Sequence, residues 1–285
     1  MEKGERKKVT VATLYKMKER GEKITFLTCY DYPTALLEDE AGIDIILVGD
    51  SGGMTVLGYE TTLPVTMEEM IILTSAVTRA VKYAFVVGDM PYMSYQISIE
   101  DAIRNSGRFM AVGCDAIKLE GGARVQDTVQ AIVKAGIPVM GHIGLTPQSY
   151  TQLGGFKVQG KTADSAKALV EDAKALEDAG VFSILIECVP AKVGKLITEN
   201  VSVPTLGLGA GADTDGQIVI VHDMIGFFAK FRPKFVKQYC NLTEILLNAF
   251  KSYVEDVKSG EFPKPEHFYK ISKEELEKIG VIVKE

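Results

Sequence analysis

Eight short, mainly apolar runs recur along the chain, each closing on a polar or glycine-rich turn. They span 24–29, 45–48, 84–88, 115–120, 137–141, 182–186, 205–208 and 218–221. A run that is apolar at successive positions, not alternate ones, marks a strand covered on both faces, as in a parallel sheet. Most runs are followed by a helical pattern, and an Ala-Gly turn precedes several of them, at Gly42, Gly136 and Gly180. Glycine there ends a helix in the left-handed conformation and lets the chain turn back. Strand–helix units repeating at roughly 20–45 residues predict an α/β fold, a (β/α)8 TIM barrel. A doubly wound open sheet is the runner-up.

The 285 residues suit one such barrel domain. The barrel is expected over about 24–240, behind an N-terminal helix that Thr10 caps. Residues 241–285 are expected to form C-terminal helices and a tail. Thr66 with Glu69, Ser98 with Asp101, Asn241 with Glu244 and Ser272 with Glu275 read as helix starts. The segment 53–64 reads as a long loop, and so does 144–161, whose length in a compact domain points to a functional element.

Composition excludes several classes. The formal charge is −6 with no long basic block, which argues against a nucleic-acid partner. Cys29, Cys114, Cys188 and Cys240 are scattered, with no C-x-x-C pair, so neither a zinc cage nor a disulfide framework is indicated. The charged start MEKGERKK lacks the apolar region of a secretory signal. No apolar run approaches the roughly 20 residues of a membrane helix. A cytoplasmic enzyme with free thiols is the simplest reading.

In a barrel, Asp31, Asp50, Asp89, Glu120, His142, Glu187 and Asp223 all fall at the carboxyl ends of strands, and so converge on one rim. Lys118 and Glu120 are two apart on one strand and share its inward face. Buried ionisable groups are unfavourable unless paired or metal-bound, so this concentration implies a site. Carboxylates without accompanying Cys or paired His suit a hard cation such as Mg2+. Asp50 and Asp89 are the best direct ligands, with Glu120 binding directly or through water. Each aspartate taken singly reads equally well as a helix cap. Glu187 follows three apolar residues, a setting that suits a general base. A structural partner for Lys118 is its other reading. Lys118 can neutralise a substrate oxygen or, as in barrel aldolases, form a Schiff base. His142 reads either as a donor to substrate or as a satisfied structural group, and His222 is a weaker candidate. The stretch Gly207 to Ala212 matches G-x-G-x-x-A but lacks the βαβ context of a dinucleotide fingerprint. It reads as a tight rim turn.

The stretches TCYDYPTA, LVGDSGGMTVLGYETTLPVT, VVGDMPYMSY, DAIKLEGG, PVMGHIGLTPQS, GGFKVQG, LIECVP, GLGAGADTDGQIVIVHDMIG and PKFVKQY run in order through most of the chain. On them the chain resembles the ketopantoate hydroxymethyltransferase (3-methyl-2-oxobutanoate hydroxymethyltransferase) family. The resemblance implies a (β/α)8 barrel and the reaction of α-ketoisovalerate, 5,10-methylenetetrahydrofolate and water to ketopantoate and tetrahydrofolate. That is the first committed step toward pantothenate and coenzyme A. It further implies that Asp50 and Asp89 bind one Mg2+ per subunit, that Glu120 completes its environment, and that Glu187 is the proton acceptor. Asp50, Ser51, Asp89 and Lys118 would contact the keto acid, with His142 beside them. A homo-oligomer, a decamer, is expected from the same resemblance, and neither a nucleic-acid nor a membrane partner. Two departures stand out: Cys29 where alanine is common, and Gly52 where a larger aliphatic residue is common. Gly52 is expected to loosen the turn beside Asp50. The tail after Phe268 is longer than the family pattern. The competing readings are a Mg2+-dependent pyruvate or phosphoenolpyruvate barrel lyase or mutase, a Schiff-base aldolase, and a non-catalytic binding protein.

Overall fold

The computed structural model describes residues 6–227 and 233–280. The first five residues of the charged start, the segment 228–232 and the last five residues lie outside the described residues.

The strands are β1 (Ile24–Thr28), β2 (Ile45–Val48), β3 (Phe85–Asp89), β4 (Ala116–Glu120), β5 (Val139–Gly144), β6 (Ser183–Glu187), β7 (Thr205–Leu208) and β8 (Gly216–Val219). Helix α1 (Val11–Glu19) precedes them. Helices α2 (Tyr32–Ala41), α3 (Gly52–Thr55), α4 (Met67–Ala80), α5 (Ile99–Ala111), α6 (Gln126–Lys134), α7 (Ala163–Asp178), α8 (Ala191–Glu199) and α9 (Val221–Ile225) are interleaved with or follow the strands. Helices α10 (Leu242–Ser259) and α11 (Lys273–Lys278) complete the chain. All eight strands pair in parallel and in sequence order, and β1 pairs with β8 to close the barrel. This is the (β/α)8 architecture that the repeated runs predict.

Strand parity splits the apolar residues into two cores. Ile45, Leu47, Phe85, Val87, Ala116, Met140, Leu185 and Leu206 fill the barrel interior. Ile46, Val48, Val86, Ile117, Leu119, Ile184 and Ile186 face the surrounding helices. Both faces of these strands are therefore dry, which is why their runs are unbroken. Each such side chain contributes about 1.5–3 kcal/mol when fully buried. The helix starts follow local chemistry. The side chains of Thr10, Thr66, Ser98, Asn241 and Ser272 each accept a backbone hydrogen bond from three residues on. Gly42, Gly136 and Gly180 adopt φ of +98°, +88° and +91°.

Several expectations are corrected. The last strand is 216–219, not 218–221, because its ladder begins where Gly216 pairs with both Ile24 and Leu206. The Val221 amide then donates to Thr28 Oγ1, at the start of α9, so Asp223 sits on a helix and not at a strand end. Strand β5 runs two residues past His142, because Ile143 and Gly144 pair with Ile186 and Glu187. Asp31 does not join the rim cluster. It caps α2 by accepting from the Thr34 amide at 2.9 Å. Within 53–64 the chain is also less irregular than expected, since α3 occupies its start.

Candidate active site

Asp89, Lys118, Glu120, His142 and Glu187 occupy inward positions near the carboxyl ends of β3 to β6. Register sets them side by side: Asp89 pairs with Lys118, and Glu120 with His142. Glu187 pairs with Gly144, whose φ is +92°. A Cβ at 144 would lie 2.2 Å from the Glu187 carbonyl, so only glycine lets β5 and β6 approach here. Asp50 and Ser51 follow β2 directly. All seven predicted residues line one chamber of about 170 Å³. Met54, Pro147, Phe156 and Phe235 add apolar walls, and Asp223 also reaches it.

The polar groups form a connected network. Lys118 Nζ lies 3.0 Å from Asp89 Oδ1 and 3.8 Å from Glu120 Oε1. It also contacts His142 Nδ1 at 3.3 Å. An ammonium can only donate, so Nδ1 accepts and the ring proton resides on Nε2. That Nε2 is 3.2 Å from Glu187 Oε2. The Asp50 amide donates to Asp89 Oδ2 at 3.0 Å. Asp89 Oδ1, Glu120 Oε1 and His142 Nε2 are buried and make no aligned hydrogen bond, so Nε2 meets Glu187 by proximity alone.

Charge in this chamber is unbalanced. Asp50, Asp89 and Glu120 are buried beside a single ammonium, Lys118. Burial raises the pKa of all three acids, and the pull of Lys118 only partly offsets it. Burial also works against the charge on Lys118, but Asp89, Glu120 and Asp50 outweigh it and raise its pKa. Burial, followed by Lys118, lowers the pKa of His142 and keeps the ring neutral. Around Lys118 itself, three carboxylates face one ammonium, an excess of negative charge that a divalent cation would offset, and Glu187 and Asp223 add further acids to the chamber wall. The donors are all oxygen; Glu120 Oε1 accepts no hydrogen bond and Asp89 Oδ1 meets only the Lys118 ammonium, so the residues fit a hard cation. Among the described residues no three such groups form a ready-made cage. A cation here therefore completes its shell with water or substrate oxygens. A Schiff base at Lys118 fits poorly, since that chemistry needs a neutral amine.

Sequence reasoning missed two supporting residues. Tyr30 Oη hydrogen-bonds Ser51 Oγ at 2.8 Å. Gln148, in the 144–161 segment, donates through Nε2 to Asp50 Oδ2 at 3.0 Å and through its backbone amide to Glu120 Oε2 at 2.9 Å. Both lie in stretches that carry the family resemblance, but neither residue type signals its contacts. His222 is placed outside the chamber network, between the Tyr30 and Phe227 rings at 5.3 and 5.4 Å. Gly209, at φ +66°, packs on Phe235, which makes the glycine-rich stretch a rim turn and not a dinucleotide loop. The expectation for Gly52 is overturned. It is buried, and a Cβ there would lie 2.7 Å from Tyr30 Cδ1 and 3.2 Å from Leu73 Cδ1. The turn is filled from outside by the Tyr30 ring, not loosened.

A family model described as ketopantoate hydroxymethyltransferase matches residues 8–265. The chain belongs to the ketopantoate hydroxymethyltransferase family. A relative from Moorella thermoacetica, named 3-methyl-2-oxobutanoate hydroxymethyltransferase, is 56% identical over 267 residues, covering 93% of this chain and 99% of its own. A relative of the same name from Enterococcus faecalis is 56% identical over 273 residues, covering 95% and 99%. Family membership makes the chain an enzyme, a hydroxymethyltransferase. Among solved structures, phosphoenolpyruvate phosphomutase from Streptomyces platensis subsp. rosaceus superposes with a TM-score of 0.61 at 14% identity, covering 92% of each chain. A phosphonopyruvate hydrolase complex with oxalate and Mg++ gives 0.60 at 14%, covering 95% of each. At that identity the likeness speaks to the fold alone.

Proposed function

We propose that the chamber moves a hydroxymethyl group from 5,10-methylenetetrahydrofolate to 3-methyl-2-oxobutanoate, giving ketopantoate. The observation that carries this reading is an oxygen-only acidic cradle, Asp50, Asp89 and Glu120, facing Glu187 across one small buried chamber. Its volume of about 170 Å³ suits a five-carbon keto acid. Asp50 and Asp89 would hold one Mg2+, with Glu120 directly beside it or one water away. Bound there, the cation supplies Lewis-acid polarisation of the keto acid, which acidifies the proton on C3.

The chain's own residues do the rest. Glu187 Oε takes the C3 proton, and the neutral His142 orients that carboxylate through Nε2. The Lys118 ammonium stabilises the negative charge that develops on the keto oxygen. Ser51, fixed by Tyr30, and the bare backbone beside it seat the substrate carboxylate. The C3–H bond breaks, a bond from C3 to the folate-borne carbon forms, and water supplies the hydroxyl oxygen as tetrahydrofolate leaves. The 144–160 segment acts as a lid and meets the folate, since Pro147 and Phe156 already line the chamber. Deleting it should raise the folate KM; an unchanged KM rejects that role.

The direct test is turnover of 3-methyl-2-oxobutanoate with the folate, with and without Mg2+. Ketopantoate should form only when all three are present. Product without folate, or undiminished turnover in EDTA, rejects the reading. Product formed without folate would favour a lyase or mutase relative.

We also infer a homo-oligomer, a decamer, with 24–240 as the catalytic barrel and the segment after 241 as an assembly arm. Helix α10 has 18 residues and buries none of them, yet it presents Ile245, Leu247, Phe250, Tyr253, Val254 and Val257. An apolar set of that size calls for cover by another copy. Sedimentation of the full chain and of a chain ending at 241 tests this; equal masses reject it. A cytoplasmic location is the companion reading, supported by four cysteines that are all unpaired. No helix among the described residues is long and apolar enough to cross a membrane.

A further inference from the structure

Gln148 lies at the centre of the short 3-10 turn Pro147–Ser149 and is 5% exposed. Every polar atom of its side chain is committed. Nε2 donates to Asp50 Oδ2 at 3.0 Å and to the Met90 carbonyl at 2.9 Å. Oε1 accepts from Tyr95 Oη at 2.8 Å and from Gln96 Nε2 at 3.3 Å. Its backbone amide donates to Glu120 Oε2 at 2.9 Å. One residue therefore grips one oxygen on each of two buried carboxylates, one in the turn after β2 and one at the end of β4. An amide carries no charge, so it fixes these acids without neutralising them. Glu120 Oε1 remains uncommitted.

The same turn borders open space. Ser149 and Gln152 line two clefts beside the chamber, of about 410 and 490 Å³. Arg124 lines both as well, and its Nη2 donates to Ser149 Oγ at 2.8 Å. Glu120 and Gln148 also form part of the wall of the first cleft.

We propose that Gln148 is a positioning residue. It holds Asp50 and Glu120 in the orientation a divalent cation needs, and it ties the 147–149 turn to that orientation. The inference rests on the divalent-cation reading above. Cation arrival then stiffens the turn and, with it, the shared edge of both clefts. The 144–161 segment thereby becomes sensitive to what the buried acids hold.

The test uses the full chain and Mg2+ alone. Calorimetry gives affinity, and amide hydrogen exchange over 145–152 gives the response of the turn. The wild type should bind Mg2+ and gain protection there. Gln148→Ala should bind it about 10–100-fold more weakly, the range for losing a residue that orients ligands. It should also lose the gain in protection. Its metal-free melting temperature should fall, because the Met90 carbonyl and the Tyr95 hydroxyl lose a buried partner, so affinity and exchange are compared at a temperature where both chains are folded. Tyr95→Phe, which keeps both carboxylate contacts of Gln148 but frees its Oε1 and removes the Tyr95 hydroxyl from the Glu120 backbone amide, should show a smaller loss, on the order of threefold. It keeps the inference testable if Gln148→Ala does not fold. Equal Mg2+ affinity in the variants and the wild type overturns the assignment. Weaker binding with an unchanged response overturns the tie to the turn. A wild type that takes up no Mg2+ instead removes the cation reading itself.

Discussion

Asp39 and Asp89 are both buried aspartates, 5% and 1% exposed, but their surroundings differ. Asp39, on α2, accepts from the amides of Lys82, Tyr83 and Ala84 and also faces Arg6. Asp89 accepts one aligned bond, from the Asp50 amide, and leaves Oδ1 facing Lys118 without one. The first carboxylate is saturated by backbone and anchors the turn into β3. The second leaves one oxygen with no backbone donor, held only by the Lys118 ammonium beside other acids. Burial alone does not separate a structural acid from a functional one; the partners its oxygens face do.

The largest effect should come from the chamber. Glu187→Gln removes the proposed base and should lower kcat by about 10²–10⁴-fold with the fold intact. Deuterium exchange at C3 of the keto acid, measured without folate, isolates the proton step. Exchange at the wild-type rate would remove Glu187 from that role. In contrast, Asp39→Ala should leave turnover per folded molecule unchanged but destabilise the protein by ~3 kcal/mol, because buried amides lose a charged acceptor. Urea unfolding reads this. A variant as stable as the wild type would break the comparison between the two aspartates.

The strand and rim layout was legible from sequence; the contrast between Asp39 and Asp89 was not. The strands wrote continuous apolar runs because both faces are dry, and helix starts wrote Thr, Ser or Asn three residues ahead of their partners. Acids at strand ends pointed to one rim because parity is fixed by the backbone. Strand β8 was misplaced because it opens on Gly216 and Gln217, whose pairing is set by β1 and β7 and not by their own chemistry. Asp31 looked like Asp50 because a helix cap and a proposed cation ligand share one residue type. Gln148 was invisible, since its partners Asp50, Met90, Tyr95 and Glu120 are distant in sequence.

Glu38 sharpens the same comparison from the other side. It adjoins Asp39, is 5% exposed, and neither carboxylate oxygen has a hydrogen-bond partner. Burial, reinforced by Asp31, pushes its carboxyl up to about 8. The folded value is above the unfolded one, so the native state holds the proton more tightly. This contribution is fully present below about pH 4.3 and is lost as pH rises to about 8. Glu38→Gln stays neutral throughout. It should match the wild type near pH 4 and exceed it by about 2 kcal/mol at pH 6, the slope being at most ~1.4 kcal/mol per unit. Parallel stability profiles for the two proteins would show that Glu38 is ionised and satisfied, as Asp39 is.

The smallest effect belongs to Gly52, where shell and chamber meet. Tyr30 is 2% exposed, packs its ring over the Gly52 backbone and holds Ser51 Oγ with its hydroxyl. A methyl at 52 has no free space, so Gly52→Ala must shift the ring or the turn, an overpacking penalty of ~1–2 kcal/mol. The shift also moves the Ser51 hydroxyl that is proposed to seat the substrate carboxylate. The keto-acid KM should therefore rise a few-fold while kcat changes less, because Glu187 and Lys118 lie on other strands. Tyr30→Phe separates the two causes. It keeps the ring and loses the bond to Ser51, so it should reproduce the KM rise without the overpacking. If Gly52→Ala lowers stability but Tyr30→Phe leaves KM unchanged, the ring is a structural filler and Ser51 is oriented by its backbone alone.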